Sequence, residues 1–129
     1  MSYTSAQYLS AAGSIPGLAA GLIGRSIQTV AGTGTTQASG ALIQQGSGTT
    51  VVGTTAASQT AFTLPANTPA GDAVEFFCTT ATTALVFPEV GSAIAGLGAN
   101  NSLSVAQNKG VLLVRASATQ WWHVLGAAS

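Results

Sequence analysis

From about Ala31 onward the sequence is a succession of short runs rich in Val, Thr, Phe and Leu, each closed by Gly, Pro, Asn or Ser at intervals of roughly ten residues. That cadence leaves no room for a helix of ordinary length and is the spacing of an all-β sandwich or barrel. The runs are Ala41 to Gln45, Thr49 to Thr55, Ala61 to Leu64, Ala73 to Thr79, Ala84 to Phe87, Ser102 to Val105, Val111 to Ser117 and Gln120 to Leu125. They predict a single β-sandwich or barrel-like domain, residues 31–129, of about eight short antiparallel strands. Alternation is clearest around Ala73 to Thr79, where Val74, Phe76 and Cys78 share one face and Glu75, Phe77 and Thr79 the other. By contrast, Val111 to Arg115 and Trp121 to Leu125 carry large apolar groups on both faces, which the outer sheet of a monomer would leave wet. Burial against another copy resolves this.

The connections carry matching turn chemistry. Pro65 and Pro69 cannot donate ladder bonds, so the segment between Leu64 and Asp72 is a connection or an edge. Pro88 and Gly91 break the chain again, and Gly96, Gly98, Asn100 and Asn101 tolerate positive φ. Asn108, Lys109 and Gly110 suit a tight reversal, and Ala116 to Thr119 joins the last two strands as a hairpin. Residues 1–30 differ: they are rich in Ala, Gly and Leu, and their apolar positions (Tyr8, Ile15, Leu18, Leu22, Ile23, Ile27) keep neither a period of two nor one of 3.6. An irregular N-terminal arm that orders against a neighbour is expected there, with one short helix between Ser5 and Ala12 stopped by Gly13.

Only six of the 129 residues are charged: Arg25, Lys109 and Arg115 against Asp72, Glu75 and Glu89. A soluble monomer usually carries about a quarter of its residues as charged types. The surface must therefore be covered by Ser, Thr, Asn, Gln and Gly, or by partners, and the deficit points to assembly. It also removes most of the raw material of general acid and base catalysis. His123 is the one histidine and has no carboxylate or serine near it in sequence; a triad with Asp72 rests only on the abundance of serine. Asp72 and Glu75, three apart, fall on opposite faces of a strand and cannot pair as in a glycosidase, while Glu89 stands alone in a loop. Gly32-Thr-Gly34 and Gly46-Ser-Gly48 lack the Lys-Ser/Thr of a phosphate loop. The lone Cys78 excludes an intramolecular disulfide and there is no Cys/His cluster for zinc. No enzymatic activity, cofactor or metal is expected.

Zero net charge and the lack of a basic patch argue against nucleic acid and anionic lipid as partners. The stretch from Ile15 to Gly24 is broken by Pro16, Gly17 and Gly21 and is too short to span a bilayer. No positive charge precedes Arg25, so a secretory signal is not expected and folding in a cytoplasm is. Trp121 and Trp122 point to opposite faces of their strand, and each can bury on the order of 200 Å². One is expected in the core and the other at a subunit contact, as is Phe77, which shares a face with Glu75; Phe77, Trp121 and Trp122 are the candidate interface residues. Lys109 and Arg115 against Asp72 and Glu75 offer ion pairs that fix register between copies, or exposed pairs worth at most ~1 kcal/mol.

The order of several short elements resembles a small β module of tailed-bacteriophage virion proteins, found in head decoration or cement proteins, head fibres and tail appendages. The elements are Thr63-Leu-Pro-Ala66, Ala70-Gly-Asp72 leading into an apolar strand, Ala84-Leu-Val-Phe-Pro88 with Gly91, Ile94-Ala-Gly-Leu97, Ala99-Asn100, a Ser-Leu-Ser strand, a Lys-Gly turn and Gln120-Trp121. The resemblance covers roughly residues 31–125 and implies an all-β homotrimer without an enzymatic site. It implies a capsid decoration protein that sits on the virion surface and clamps the major capsid protein, with Ile15, Leu18, Leu22 and Ile23 of the arm as capsid contacts. A head fibre or tail appendage is the alternative within the class, disfavoured by the lack of heptads or repeats for a shaft. A carbohydrate-recognition module using an exposed Trp with Asn100 and Asn101 is the alternative outside it.

Overall fold

The computed structural model describes residues 27–44 and 49–125, all of them strand, turn or loop. The expected arm contacts and the short helix between Ser5 and Ala12 lie outside the described residues. Ten strands follow one another: β1 Ile27–Ala31, β2 Ala41–Leu42, β3 Thr49–Thr54, β4 Ala61–Thr63, β5 Ala73–Cys78, β6 Ala84–Phe87, β7 Ala93–Ile94, β8 Leu103–Val105, β9 Gly110–Ser117 and β10 Gln120–Leu125. Each of the eight expected runs overlaps one of these strands; β1 and the two-residue β7 are additional.

The strands form a six-stranded sheet in the order β1-β3-β5-β9-β10-β7 and a four-stranded sheet in the order β2-β4-β6-β8. Successive strands from β1 to β6 alternate between the two sheets, and within each sheet they pair in parallel. This corrects the expected antiparallel sandwich or barrel: the arrangement is β-solenoid-like, three stacked coils closed by an antiparallel end. Ile27 lies beside Thr50 and Thr49 beside Val74, offsets of 23 and 25 residues. On the other sheet Ala41 lies beside Phe62 and Ala61 beside Leu85, offsets of 21 and 24 residues. The physical reason for the difference is in the connections. None of the turns between β1 and β6 is the tight two-residue reversal that returns a strand beside its predecessor; each sends the chain to the opposite sheet. Reversal comes afterwards, when β8 pairs antiparallel with β6 and β9 with β5, and the hairpin of β9 and β10 extends the larger sheet.

Alternation sorts the side chains. Thr49, Val51 and Gly53 of β3, then Val74, Phe76 and Cys78 of β5, then Val111, Leu113 and Arg115 of β9 face the interior. They form a core with Phe62, Leu64, Ala84, Val86, Leu103 and Val105 from the smaller sheet and the segments that follow its strands. Phe62 and Phe76, both fully buried, meet edge to face with centroids 4.9 Å apart and planes at 67°. Burying each ring stabilises the fold by roughly 1.5–3 kcal/mol. The corners between coils are closed by hydroxyls instead of charges. The Thr55 backbone N–H donates to Thr80 Oγ1 at 2.6 Å, and Thr55 Oγ1 donates to the Thr82 carbonyl at 2.6 Å. Thr79 Oγ1 adds a 3.2 Å bond to the Gly53 carbonyl. Stacked threonines thus satisfy backbone groups that the turns would otherwise leave unpaired.

Gly53 is the point of tightest fit. A Cβ there would lie 2.4 Å from Phe76 Cζ and 3.2 Å from Phe62 Cζ, so the aromatic pair occupies the space a side chain would need. Gly53→Ala is expected to lower stability by about 1–3 kcal/mol through overpacking, read as a fall in urea midpoint at unchanged slope. An unchanged midpoint contradicts this packing.

Candidate functional site

Inward alternation on β9 takes Arg115 into the interior beside Val111 and Leu113, leaving its side chain 4% exposed. A buried guanidinium requires a partner, and it finds Glu89, whose side chain is 12% exposed, in the loop between β6 and β7. Arg115 Nη1 donates to Glu89 Oε1, and Arg115 Nη2 donates to the Ala118 carbonyl in the β9 to β10 turn. Ser92 Oγ donates to the same Glu89 oxygen at 2.6 Å, and Trp121 Nε1 donates to Oε2 at 3.0 Å. The guanidinium carbon also lies 5.1 Å from the Trp121 ring centroid, a cation–π contact. Burial pushes the Glu89 carboxyl up, but the hydrogen bonds from Ser92, Trp121 and Arg115 outweigh it and hold the group below its usual value of 4.5. With three donors on its two oxygens, Glu89 fastens the antiparallel end of the fold and is not presented to a substrate.

This cluster was not legible as a pair in the sequence, where Glu89 looked isolated and Arg115 was matched with Asp72 or Glu75. The available signal was Arg115 itself: period-two alternation from Val111 places it inward, and only three carboxylates exist to neutralise it. The other chemistry-bearing residues are dispersed. The buried Nδ1 of His123 has no hydrogen-bond partner. Cys78 is buried, with Sγ 3.4 Å from the Thr82 carbonyl. Among the described residues no group of three His, Cys, Asp or Glu could hold a metal ion, and no helix is long and apolar enough to cross a membrane. Asn100, at φ 64°, accepts bonds on Oδ1 from the Gly91 N–H at 2.7 Å and from Gln37 Nε2 at 3.2 Å. Its amide oxygen thereby holds two loops together.

The outward face of the six-stranded sheet is the second notable surface. Strand register lines up Ile27, Thr50, Glu75, Leu112 and Val124 across five strands. Beside that row lie Thr29, Val52, Phe77 and Gly110 on one side and Ala73, Val114 and Trp122 on the other. Ile27 is 71% exposed, Val124 68%, Trp122 60% and Phe77 41%. The Phe77 ring covers Gly110: a Cβ on that glycine would lie 2.5 Å from Phe77 Cε1. Glu75 is the one ionisable group in these rows, and its Oε1 accepts from Thr50 Oγ1 at 3.3 Å. Of the candidate contact residues, Phe77 and Trp122 therefore lie on this face. Trp121 is fully buried within its own chain, and Ile15, Leu18, Leu22 and Ile23 lie outside the described residues.

Because the Glu89 carboxyl is held below its unfolded value, it contributes stability above the ordinary carboxylate range that is lost as pH falls through the depressed folded value. Acid unfolding is therefore expected to set in below about pH 4.5. Glu89→Gln strands Arg115 as a buried unpaired charge, which costs about 3–5 kcal/mol at neutral pH and flattens the acid limb; thermal melts from pH 3 to 7 check both. A variant as stable as the parent contradicts the fastening role. No protein-family model matches the chain, and no curated protein matches it.

Proposed function

We propose that the chain is a structural subunit of a virion, a capsid decoration protein that acts as a homotrimer and stabilises the shell of the major capsid protein. The observation that carries this reading is the broad apolar, nearly charge-free outer face of the six-stranded sheet, on which Ile27, Phe77, Trp122 and Val124 stand exposed. A contiguous apolar patch of that kind is often a functional contact surface. The two charged groups most deeply placed, Glu89 and Arg115, neutralise each other inside the chain, which leaves Asp72, Glu75 and Lys109 as the other charged groups among the described residues. An exterior so sparse in charge packs repeatedly without charge repulsion. The resemblance of the order of short elements to that of phage virion modules supports the specific reading of head decoration. Its action is thermodynamic: a subunit that binds the assembled shell and not its free components stabilises the shell by mass action.

The test is the number of copies of the chain per particle, measured by mass spectrometry against the major capsid protein. A near-stoichiometric ratio is expected, and absence from the particle overturns the proposal. In the arm, Leu22→Asp is expected to preserve the β signal in far-UV circular dichroism while abolishing attachment to particles. Incorporation at the parent level contradicts a capsid-binding role for Leu22.

A further inference from the structure

We propose that the outer face of the six-stranded sheet is the surface on which copies of this chain meet, the sheets of three copies packing against one another around a shared axis. The inference rests on reading the chain as an assembly subunit, though not on where that assembly sits. The four large apolar side chains exposed on the face, Ile27, Phe77, Trp122 and Val124, present together roughly 400–500 Å² of apolar surface, within the ~300–600 Å² range of the largest patch on a typical monomer. Val52, Leu112 and Val114, half-buried between them, make the patch continuous across β3, β5, β9 and β10. Thr29, Thr54 and Ala73 around them and Thr50 in the central row extend the face toward the ~800 Å² per partner of a standard interface, with Thr29 and Thr54 as polar groups at its edge.

The chemistry of the face selects its occupant. It carries no cation for a nucleic acid or an anionic lipid headgroup, and its single carboxylate, Glu75, already has a donor in Thr50. An ordinary protein surface, about a quarter of its residues charged, would bury several charges here with only Glu75 to pair one of them. The surface known to satisfy the requirement is this chain's own: apolar, rimmed by hydroxyls and almost without charge. Trp122 is the natural anchor, an exposed aromatic on the same cross-strand row as the outward Val114.

The decisive experiment is sedimentation of the purified full chain and of three variants. Trp122→Glu and Leu112→Glu place a charge on the face, and Val90→Glu places one at an exposed apolar side chain off the face, 80% accessible, in the loop after β6. The first two are expected to weaken self-association by at least about thirtyfold while Val90→Glu leaves it unchanged. A parent that stays monomeric, or face variants that associate like the parent, overturns the inference. Acrylamide quenching of the parent gives a second reading without any variant. Trp122 is expected to be shielded in the associated state and released on dilution, while Trp121 stays shielded throughout; free quenching of Trp122 in the associated state overturns the inference even if a variant fails to fold. Self-association through another surface would leave the virion reading intact, and absence from particles would leave this interface intact.

Discussion

Parallel stacking of one coil on the next is the constraint from which the other features follow. Once β1, β3 and β5 run in the same direction in one sheet and β2, β4 and β6 in the other, every inward position of one coil must fit the inward positions of its neighbours. Inward residues of neighbouring coils and of the two sheets therefore share a volume: Gly53 is small because Phe76 and Phe62 fill the space a side chain would need. The same stacking places backbone groups of successive corners in line, where threonine hydroxyls take them up. A coil stack has an open end wherever stacking stops. At the C-terminal end, direction reverses and β9 and β10 close it as a hairpin.

That closing hairpin is where the chain spends its buried charge. Arg115, Glu89, Trp121 and Ser92 bring the loop after β6, the last two long strands and the turn between them to one point. A buried pair of this kind is often no more stabilising than apolar residues of the same size, and its value here lies in geometry. Arg115 accepts few arrangements in which both Glu89 and the Ala118 carbonyl are reached, so the register of the hairpin against the loop is specified. With the interior and one end closed in this way, the outward face of the six-stranded sheet remains as the large apolar surface that the chain does not cover with the residues described.

Much of this was legible in the sequence, and the limits have physical causes. Strand positions followed from the cadence of Val, Thr, Phe and Leu against Gly and Pro, and the faces of β5 followed from alternation, with Val74, Phe76 and Cys78 inward and Phe77 outward. Pairing direction did not follow, because a half-buried strand shows the same period of two whether its neighbour is parallel or antiparallel. The coil repeat left no trace for the same reason that it works: Ile27, Thr50 and Glu75 stack, as do Val30, Gly53 and Cys78, and stacking asks for complementary size and not identity. That one Trp faces in and the other out was expected; which does so depends on the register shift between Gln120 and Trp121. Glu89 was hidden because its partners are 26 and 32 residues away in sequence.

The most direct test of the chain as a self-assembling subunit is the mass of the intact protein under native conditions, by mass spectrometry at micromolar concentration. A particle of three chains, each 12.6 kDa, is the expected result. A single 12.6 kDa species that persists as concentration is raised would show that the exposed sheet face is stable in water without a second copy, and would contradict both the assembly reading and the surface assigned to it.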